Sequence, residues 1–121
     1  MKIHESAENY LEAILMIQKE KGCCRSIDVV RKLGFSKPSV SVAMSNLRKS
    51  GHITMDHEGW LELTDTGREI AERIYERHVV ISRWLRSIGV PEEIATEDAC
   101  RIEHDISNLT FEKIKEMMSL S

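Results

Sequence analysis

Three side chains near the carboxyl end of the chain could together bind a metal ion. Cys100, Glu103 and His104 stand at i, i+3 and i+4, a spacing that places side chains on one face of a helix. A thiolate, a carboxylate and an imidazole suit a first-row transition metal better than Mg²⁺ or Ca²⁺. The spacing alone leaves another interpretation open, in which Cys100 is a small buried apolar residue and Glu103 and His104 form a solvated pair.

Three further polar residues lie beside apolar helix faces. His78 falls within the apolar stripe of a predicted long helix, so its imidazole would face inward and need a polar partner. A histidine in such a stripe is more often a hydrogen-bonded core residue than a metal ligand. Asn9 and Glu12 are three residues apart on the first predicted helix. At all three positions the spacing allows metal binding without deciding it.

The same cluster could belong to an enzyme in which Cys100 is the nucleophile and His104 its base. The segment that follows, residues 105–108, has no glycine-rich loop or strand-turn-helix elbow that could form an oxyanion site. Little of the chain is left to build a substrate pocket. We therefore expect no enzymatic activity and no small-molecule substrate.

Residues 36–50 are predicted to form a helix that follows a short helix and a glycine turn at Gly34. Two strand-like runs, 52–55 and 60–63, come next and flank a turn at Gly59, a pattern typical of a β-hairpin. This order is that of a winged helix-turn-helix, in which the second helix of the pair enters the major groove of DNA.

The predicted second helix carries short polar and basic side chains that can reach phosphates and base edges. These residues are Ser36, Lys37, Ser39, Ser41, Ser45, Arg48 and Lys49, with Pro38 in the first turn. The pattern favours DNA binding. A solvated helix on an ordinary helical domain, and a winged helix used only for protein contacts, are the alternatives.

The other predicted elements are helices, so the fold class is mainly α. A winged helix-turn-helix with a small β-hairpin wing is predicted over residues 1–64, and a helical domain over residues 65–121. The remaining helices are predicted over residues 6–20, from an N-cap at Ser26, from Thr64 or Asp65 to about Ile88, and over 91–95, 97–106 and 111–118. The apolar stripe of the long helix is Ile70, Ile74, His78, Ile81, Leu85 and Ile88.

Charge divides the 121-residue chain into two unlike parts. The total is −3, which by itself argues against a nucleic-acid partner. Residues 1–50 hold nine basic and five acidic groups, whereas residues 51–121 hold eight and fifteen. The basic part coincides with the predicted winged helix. With no apolar run long enough to span a bilayer and three cysteines that suggest no disulfide framework, we expect a cytoplasmic protein without membrane contact.

The chain resembles the diphtheria-toxin-repressor family of iron- and manganese-dependent transcriptional regulators. The segments that carry the resemblance are Glu8-Asn9-Tyr10-Leu11-Glu12, Ser36-Lys37-Pro38-Ser39-Val40-Ser41, Leu61-Glu62-Leu63-Thr64-Asp65-Thr66-Gly67, Arg77-His78 and Ala99-Cys100-Arg101-Ile102-Glu103-His104-Asp105-Ile106-Ser107. They occur in order over nearly the whole chain, and the last is the most specific.

The resemblance implies a homodimer on a palindromic operator in double-stranded DNA, with a helical metal-binding and dimerisation domain after the winged helix. The implied metal ligands are Glu12, His78, Cys100, Glu103 and His104, with Asn9 at a further ligand position. The implied DNA contacts are Ser36, Pro38, Ser39 and Ser41. Because the chain ends at Ser121, we expect the short two-domain type, without a third, SH3-like domain.

The chain departs from the family's two metal-binding patterns in three respects. Asn9 stands where manganese-type members have an acidic ligand and iron-type members have methionine. Cys100 follows the iron type, whereas Glu12 follows the manganese type. Ser82 and Thr96 replace a carboxylate and a histidine of the second iron-type site. The resemblance thus implies a regulator, most simply a repressor, that is activated by Fe²⁺ or Mn²⁺, with Co²⁺, Ni²⁺ or Zn²⁺ binding in vitro. Metal-independent regulation and a protein-contact adaptor are the alternatives.

Overall fold

The computed structural model describes residues 5–119 and has, within them, six helices and one β-hairpin, which confirms the predicted fold class. The elements are α1 (Glu5–Lys21), α2 (Ser26–Leu33), α3 (Lys37–Lys49), β1 (Ile53–Met55), β2 (Leu61–Leu63), α4 (Asp65–Ser87), α5 (Glu92–Ile102) and α6 (Asn108–Ser119). Contacts group residues 1–72 and residues 73–121 into two compact units. The predicted border between residues 64 and 65 falls at the start of α4, and the boundary between the units falls within that helix.

In the first unit, α1 contacts α2, α3 and β2, while α3 also contacts β1. The hairpin is antiparallel, with Ile53 opposite Leu63 and Met55 opposite Leu61. Leu61 and Leu63 are buried while Glu62 between them is exposed, as the two-residue period of a half-buried strand requires. The predicted hairpin is therefore confirmed, with strands slightly shorter than the sequence runs suggest.

Two helix starts in this unit follow different capping rules. α3 begins as predicted after Ser36, whose hydroxyl oxygen accepts a hydrogen bond from the Ser39 N–H at 3.2 Å. The predicted cap at Ser26 is wrong, because α2 begins at Ser26 and its N-cap residue is Arg25. The Arg25 N–H donates to the carboxylate of Asp28 at 3.0 Å, so an acid in the first turn replaces the hydroxyl cap.

The start of α4 packs tightly against the hairpin. Thr64 caps the helix, since its hydroxyl accepts from the Gly67 N–H at 3.2 Å and donates to the Gly51 carbonyl at 2.7 Å. A Cβ at Gly67 would overlap the backbone oxygen of His52. Glycine is required at residue 67 by this close approach, although its backbone is helical.

The second unit has its core between α4, α5 and α6. Its buried apolar residues are Ile81, Leu85, Ala95, Ala99 and Phe111. The predicted pair of helices over 91–95 and 97–106 is wrong, because a single helix, α5, covers most of both. α6 begins earlier than predicted, where the Ser107 hydroxyl accepts from the Thr110 N–H at 3.1 Å. The predicted inward position of Ile88 is also wrong, since it follows the end of α4 and is 62% exposed.

No helix in the part of the chain that the structure describes combines the length and apolar character needed to cross a membrane.

Candidate functional site

The second unit brings three potential metal ligands together. His78 comes from the middle of α4, Cys100 from the last turn of α5, and Glu103 directly follows α5. One donor atom from each lies within 4.8 Å of the other two. The His78 Nδ1 is 2.9 Å from a carboxylate oxygen of Glu103. We call these three residues the metal cluster.

His104 is placed differently from the prediction. α5 ends at Ile102, so Glu103 is the C-cap residue and His104 lies in the turn beyond it. Glu103 retains a helical backbone, with φ −57° and ψ −24°, which keeps it near Cys100. The His104 Nε2 is 3.4 Å from the other carboxylate oxygen of Glu103. Glu103 and His104 therefore both lie beyond the last residue of α5, and the role of His104 as a metal ligand stays a prediction.

Among these residues, Glu103 has the charged group that is most completely buried. Its side chain is 0% exposed, and those of His78 and His104 are 16% and 1% exposed. A carboxylate taken out of water is costly unless a positive charge or a metal ion accompanies it. Cys100, in contrast, is exposed.

The donor set fits a transition metal ion. Donors bound at about 2.0–2.3 Å to one ion can be no more than about 4.5 Å apart, so the observed separations require only a small side-chain adjustment. Nitrogen, sulfur and oxygen donors in one site match the preferences of Fe²⁺, Co²⁺ and Zn²⁺.

Asn9 and Glu12 lie on α1 in the first unit. Glu12 is buried, with 5% of its surface exposed, whereas Asn9 is half-buried. Their roles as metal ligands stay predictions.

Arg77 binds the backbone beside the metal cluster, and the residue spacing did not identify it. Its guanidinium is buried and donates from Nη1 to the carbonyls of Glu103, at 3.1 Å, and Ile106, at 3.0 Å. These contacts connect α4 to a turn 26 and 29 residues further along the chain. The sequence marks Arg77 only through the Arg-His pair in the family resemblance, because periodicity within a helix carries no information on such distant contacts.

α3 has a buried face and an exposed face in the first unit. Its buried face consists of Val40, Met44 and Leu47. Ser45 is half-buried, whereas the other predicted DNA-contacting residues are exposed, and they are Ser36, Lys37, Pro38, Ser39, Ser41, Arg48 and Lys49. Hydroxyl groups thus cluster at the amino end of α3, where free N–H groups also favour a phosphate, and positive charge lies at its carboxyl end.

Val42 is an apolar residue on the exposed side of α3. It is 61% exposed and stands four residues after Pro38, away from the buried face. An aliphatic group on a helix that enters the major groove can contact the methyl group of thymine. The sequence carries a signal for this exposed position, because Val42 is an apolar residue that does not fall on the apolar stripe of α3.

The tip of the hairpin is acidic. Asp56 accepts hydrogen bonds from the backbone N–H groups of Glu58 and Trp60, both at 2.9 Å. The Trp60 contact contributes most to lowering the pKa of the Asp56 carboxyl. Asp56 and Glu58 therefore place negative charge at the tip, which disfavours close contact between the tip and DNA phosphates. On α3 itself, in contrast, Lys37, Arg48 and Lys49 are exposed positive charges.

Comparisons with known protein families match both parts of the chain. A family described as "Iron dependent repressor, N-terminal DNA binding domain" matches residues 2–60. A second, described as "Iron dependent repressor, metal binding and dimerisation domain", matches residues 64–120. The metal cluster lies within the second match, and α3 and the hairpin lie largely within the first.

Individual relatives agree with these matches. The chain is 33% identical over 113 residues to the HTH-type transcriptional regulator MntR of Bacillus subtilis, covering 93% of this chain and 80% of that regulator. Among solved structures, T. acidophilum IdeR is 26% identical with a TM-score of 0.81, covering 98% of this chain and 55% of that one. A manganese-dependent transcriptional repressor in complex with manganese is 23% identical with a TM-score of 0.84, covering 95% and 53%, which shows the shared fold. This chain thus spans about half the length of the solved structures it matches.

Proposed function

This chain belongs to the diphtheria-toxin-repressor family of metal-dependent transcriptional regulators, and we propose that it represses transcription by binding operator DNA when Fe²⁺ or Mn²⁺ is bound. The observation that carries the proposal is the buried Glu103 carboxylate beside the donors of His78 and Cys100. A divalent ion bound by these three donors would add positive charge beside the carboxylate, which favours its ionised form in the protein interior. In this proposal the chain acts without enzymatic activity.

The proposed ligands combine both family patterns. His78, Cys100 and Glu103 hold the ion, and His104 orients Glu103 or adds a further donor. The resemblance adds Glu12 and the amide of Asn9. The Cys100 thiolate favours Fe²⁺ over Mn²⁺, whereas Glu12 follows the manganese-type pattern. Both metals are therefore retained, with iron slightly favoured.

The proposed DNA contacts follow from the chemistry of α3. The serine hydroxyls and Lys37 at its amino end contact phosphates and base edges, with Pro38 packed against the duplex, while Arg48 and Lys49 supply charge to the backbone. A homodimer would place its two α3 helices about 34 Å apart, one turn of duplex DNA. A palindromic operator matches this two-fold symmetry.

Replacing the buried carboxylate tests the metal site. We expect Glu103→Gln to weaken Fe²⁺ or Mn²⁺ binding by at least about tenfold, because the amide keeps the shape of the side chain and removes its charge. The measurement is a metal titration by calorimetry under anaerobic conditions. The matched control is Glu97→Gln, the same change at an exposed position of α5. Equal metal affinity in the two variants would contradict the proposed site.

A further inference from the structure

The carboxyl end of α5 leaves backbone carbonyl groups that the helix itself cannot satisfy. Arg77, on α4, supplies a donor to the C-cap carbonyl of α5 and to a carbonyl in the turn that follows. Its Nη1 donates to the Glu103 carbonyl at 3.1 Å and to the Ile106 carbonyl at 3.0 Å. Positive charge at this end of a helix is also favourable to the helix dipole. Arg77 therefore closes both ends of the turn that contains His104.

The guanidinium is fixed by further contacts. Its Nη2 donates to the side-chain oxygen of Asn108 at 3.4 Å, and its central carbon lies 5.3 Å from the ring centroid of Phe111. Only 8% of the Arg77 surface is exposed. A planar group with several donors in a rigid fork suits this set of contacts better than the single ammonium of lysine.

The contacts of Glu103 are divided between its backbone and its side chain. Arg77 binds the backbone carbonyl, whereas the carboxylate lies 2.9 Å from His78. An arginine paired with the carboxylate itself would compete with a cation for the same oxygens. Arg77 instead binds the carbonyl, so it holds the residue in place without itself occupying the carboxylate oxygens.

From this geometry we propose that Arg77 is the positioning residue of the metal cluster. Arg77 and His78 are consecutive in α4, so the same turn of α4 carries one ligand and fixes the backbone of another. The spacing between His78 and Glu103 is thereby set before an ion binds. This inference rests on the proposed function of the cluster and assigns Arg77 a role in metal affinity beyond its contribution to folding.

The test is a Co²⁺ titration of the full chain, followed by absorption spectroscopy. Arg77→Met removes the donors and keeps most of the side-chain length, and we expect it to lower Co²⁺ affinity by roughly 10–100-fold. We also expect the visible bands of bound Co²⁺ to change, because they report the arrangement of the ligands. Arg77→Lys should fall between the wild type and Arg77→Met, since an ammonium can reach the carbonyls without the fork.

A destabilised core variant separates positioning from folding. Leu85→Ala removes a buried side chain of the same unit and should lower stability to urea while leaving the Co²⁺ affinity and spectrum unchanged. Wild-type affinity and spectrum in Arg77→Met, or an equal loss of affinity in Leu85→Ala, would overturn the inference. If Arg77→Met does not fold, the same comparison is made with Arg77→Lys. Failure of the wild-type chain to bind Co²⁺ would instead contradict the proposed metal site itself.

Discussion

The chain's three cysteines differ in their exposure to solvent. Cys23 and Cys100 are exposed, whereas Cys24 is buried. Burial, reinforced by the charge of Asp28, raises the pKa of the Cys24 thiol to about 12. Because the thiolate is the reactive form, Cys24 is a chemically inert core residue. Cys100 is an accessible thiol that a metal ion would convert into a bound thiolate.

This difference allows a direct test of Cys100 as a ligand. In the metal-free protein at pH 8, we expect iodoacetamide to alkylate Cys23 and Cys100 and to leave Cys24 unmodified. Saturating Fe²⁺ or Mn²⁺ should protect Cys100 alone, because a coordinated sulfur no longer attacks the reagent. Mass spectrometry of peptides gives the rate at each position, with Cys23 as the internal control. Equal rates at Cys100 with and without metal would remove it from the site.

The sequence predicts which residues form the metal cluster better than it predicts the hydrogen bonds that hold those residues in place. Cys100 and Glu103 are one helical turn apart in any helix, so their proximity depends only on local structure. His78 is close to them only because α4 packs against α5, which the apolar stripe predicts in outline. The hydrogen bonds from Arg77 to Glu103 and Ile106 depend on the packed arrangement of three helices, and no local spacing encodes them.

Among the elements, α2 has an unusual amino end. Asp28 accepts from the Lys21 ammonium at 2.8 Å and from the Arg25 N–H at 3.0 Å. The Lys21 hydrogen bond contributes most to lowering the pKa of the Asp28 carboxyl, and the Arg25 backbone contact comes next. One carboxylate thus caps α2 and connects it to the end of α1.

Asp28→Asn is expected to reduce the stability of the protein at pH 7 by about 1 kcal/mol. The pKa of Asp28 is lower in the folded state, so its contribution is complete above the unfolded-state pKa of about 4 and is lost as the pH falls through the folded value. Urea unfolding of both proteins between pH 7 and pH 3 measures the difference. A difference in stability that stays constant or grows toward pH 3 would contradict this account.

Element boundaries show where sequence patterns lose information. α3 begins after Ser36 as predicted, because a serine N-cap followed by proline in the first turn is a pattern typical of helix starts. The predicted division into two helices over 91–95 and 97–106 is wrong, because Thr96, between them, lies within the continuous helix α5, where its hydroxyl donates to the Glu92 carbonyl at 2.9 Å. A serine or threonine can cap a helix or bond back within it, and its surroundings decide which.

At the scale of the whole molecule, the second unit has several large apolar side chains exposed to solvent. Four large ones are at least half exposed, and they are Ile88, Ile94, Leu109 and Met117. They lie within the match to the metal-binding and dimerisation domain. These apolar groups, on a unit that matches a dimerisation domain, would be withdrawn from water on association with a second copy.

Leu109→Glu is expected to shift the protein from dimer toward monomer, because a charge cannot be buried in an apolar interface without a partner. Sedimentation velocity over a range of concentrations measures this shift. Val42→Glu, a similar change at an exposed position of the first unit, should remain dimeric. A dimer of unchanged stability in Leu109→Glu would place the interface elsewhere.

If metal binding and DNA binding are coupled, each ligand changes the protein's affinity for the other ligand by the same factor. The chain's charge distribution is consistent with that division of tasks, since basic groups are in excess over residues 1–50 and acidic groups over residues 51–121. The winged helix and the metal cluster are the two proposed binding sites that such coupling requires.

The most direct measurement is the affinity of the purified protein for duplex DNA from the region upstream of its own gene, by fluorescence anisotropy at fixed salt. We expect Fe²⁺ or Mn²⁺ to raise this affinity by about 5–150-fold over the value in excess chelator. We also expect the increase to be lost in Glu103→Gln and retained in Glu97→Gln. Equal affinity with metal and with chelator would contradict the central claim that this protein is a metal-dependent regulator.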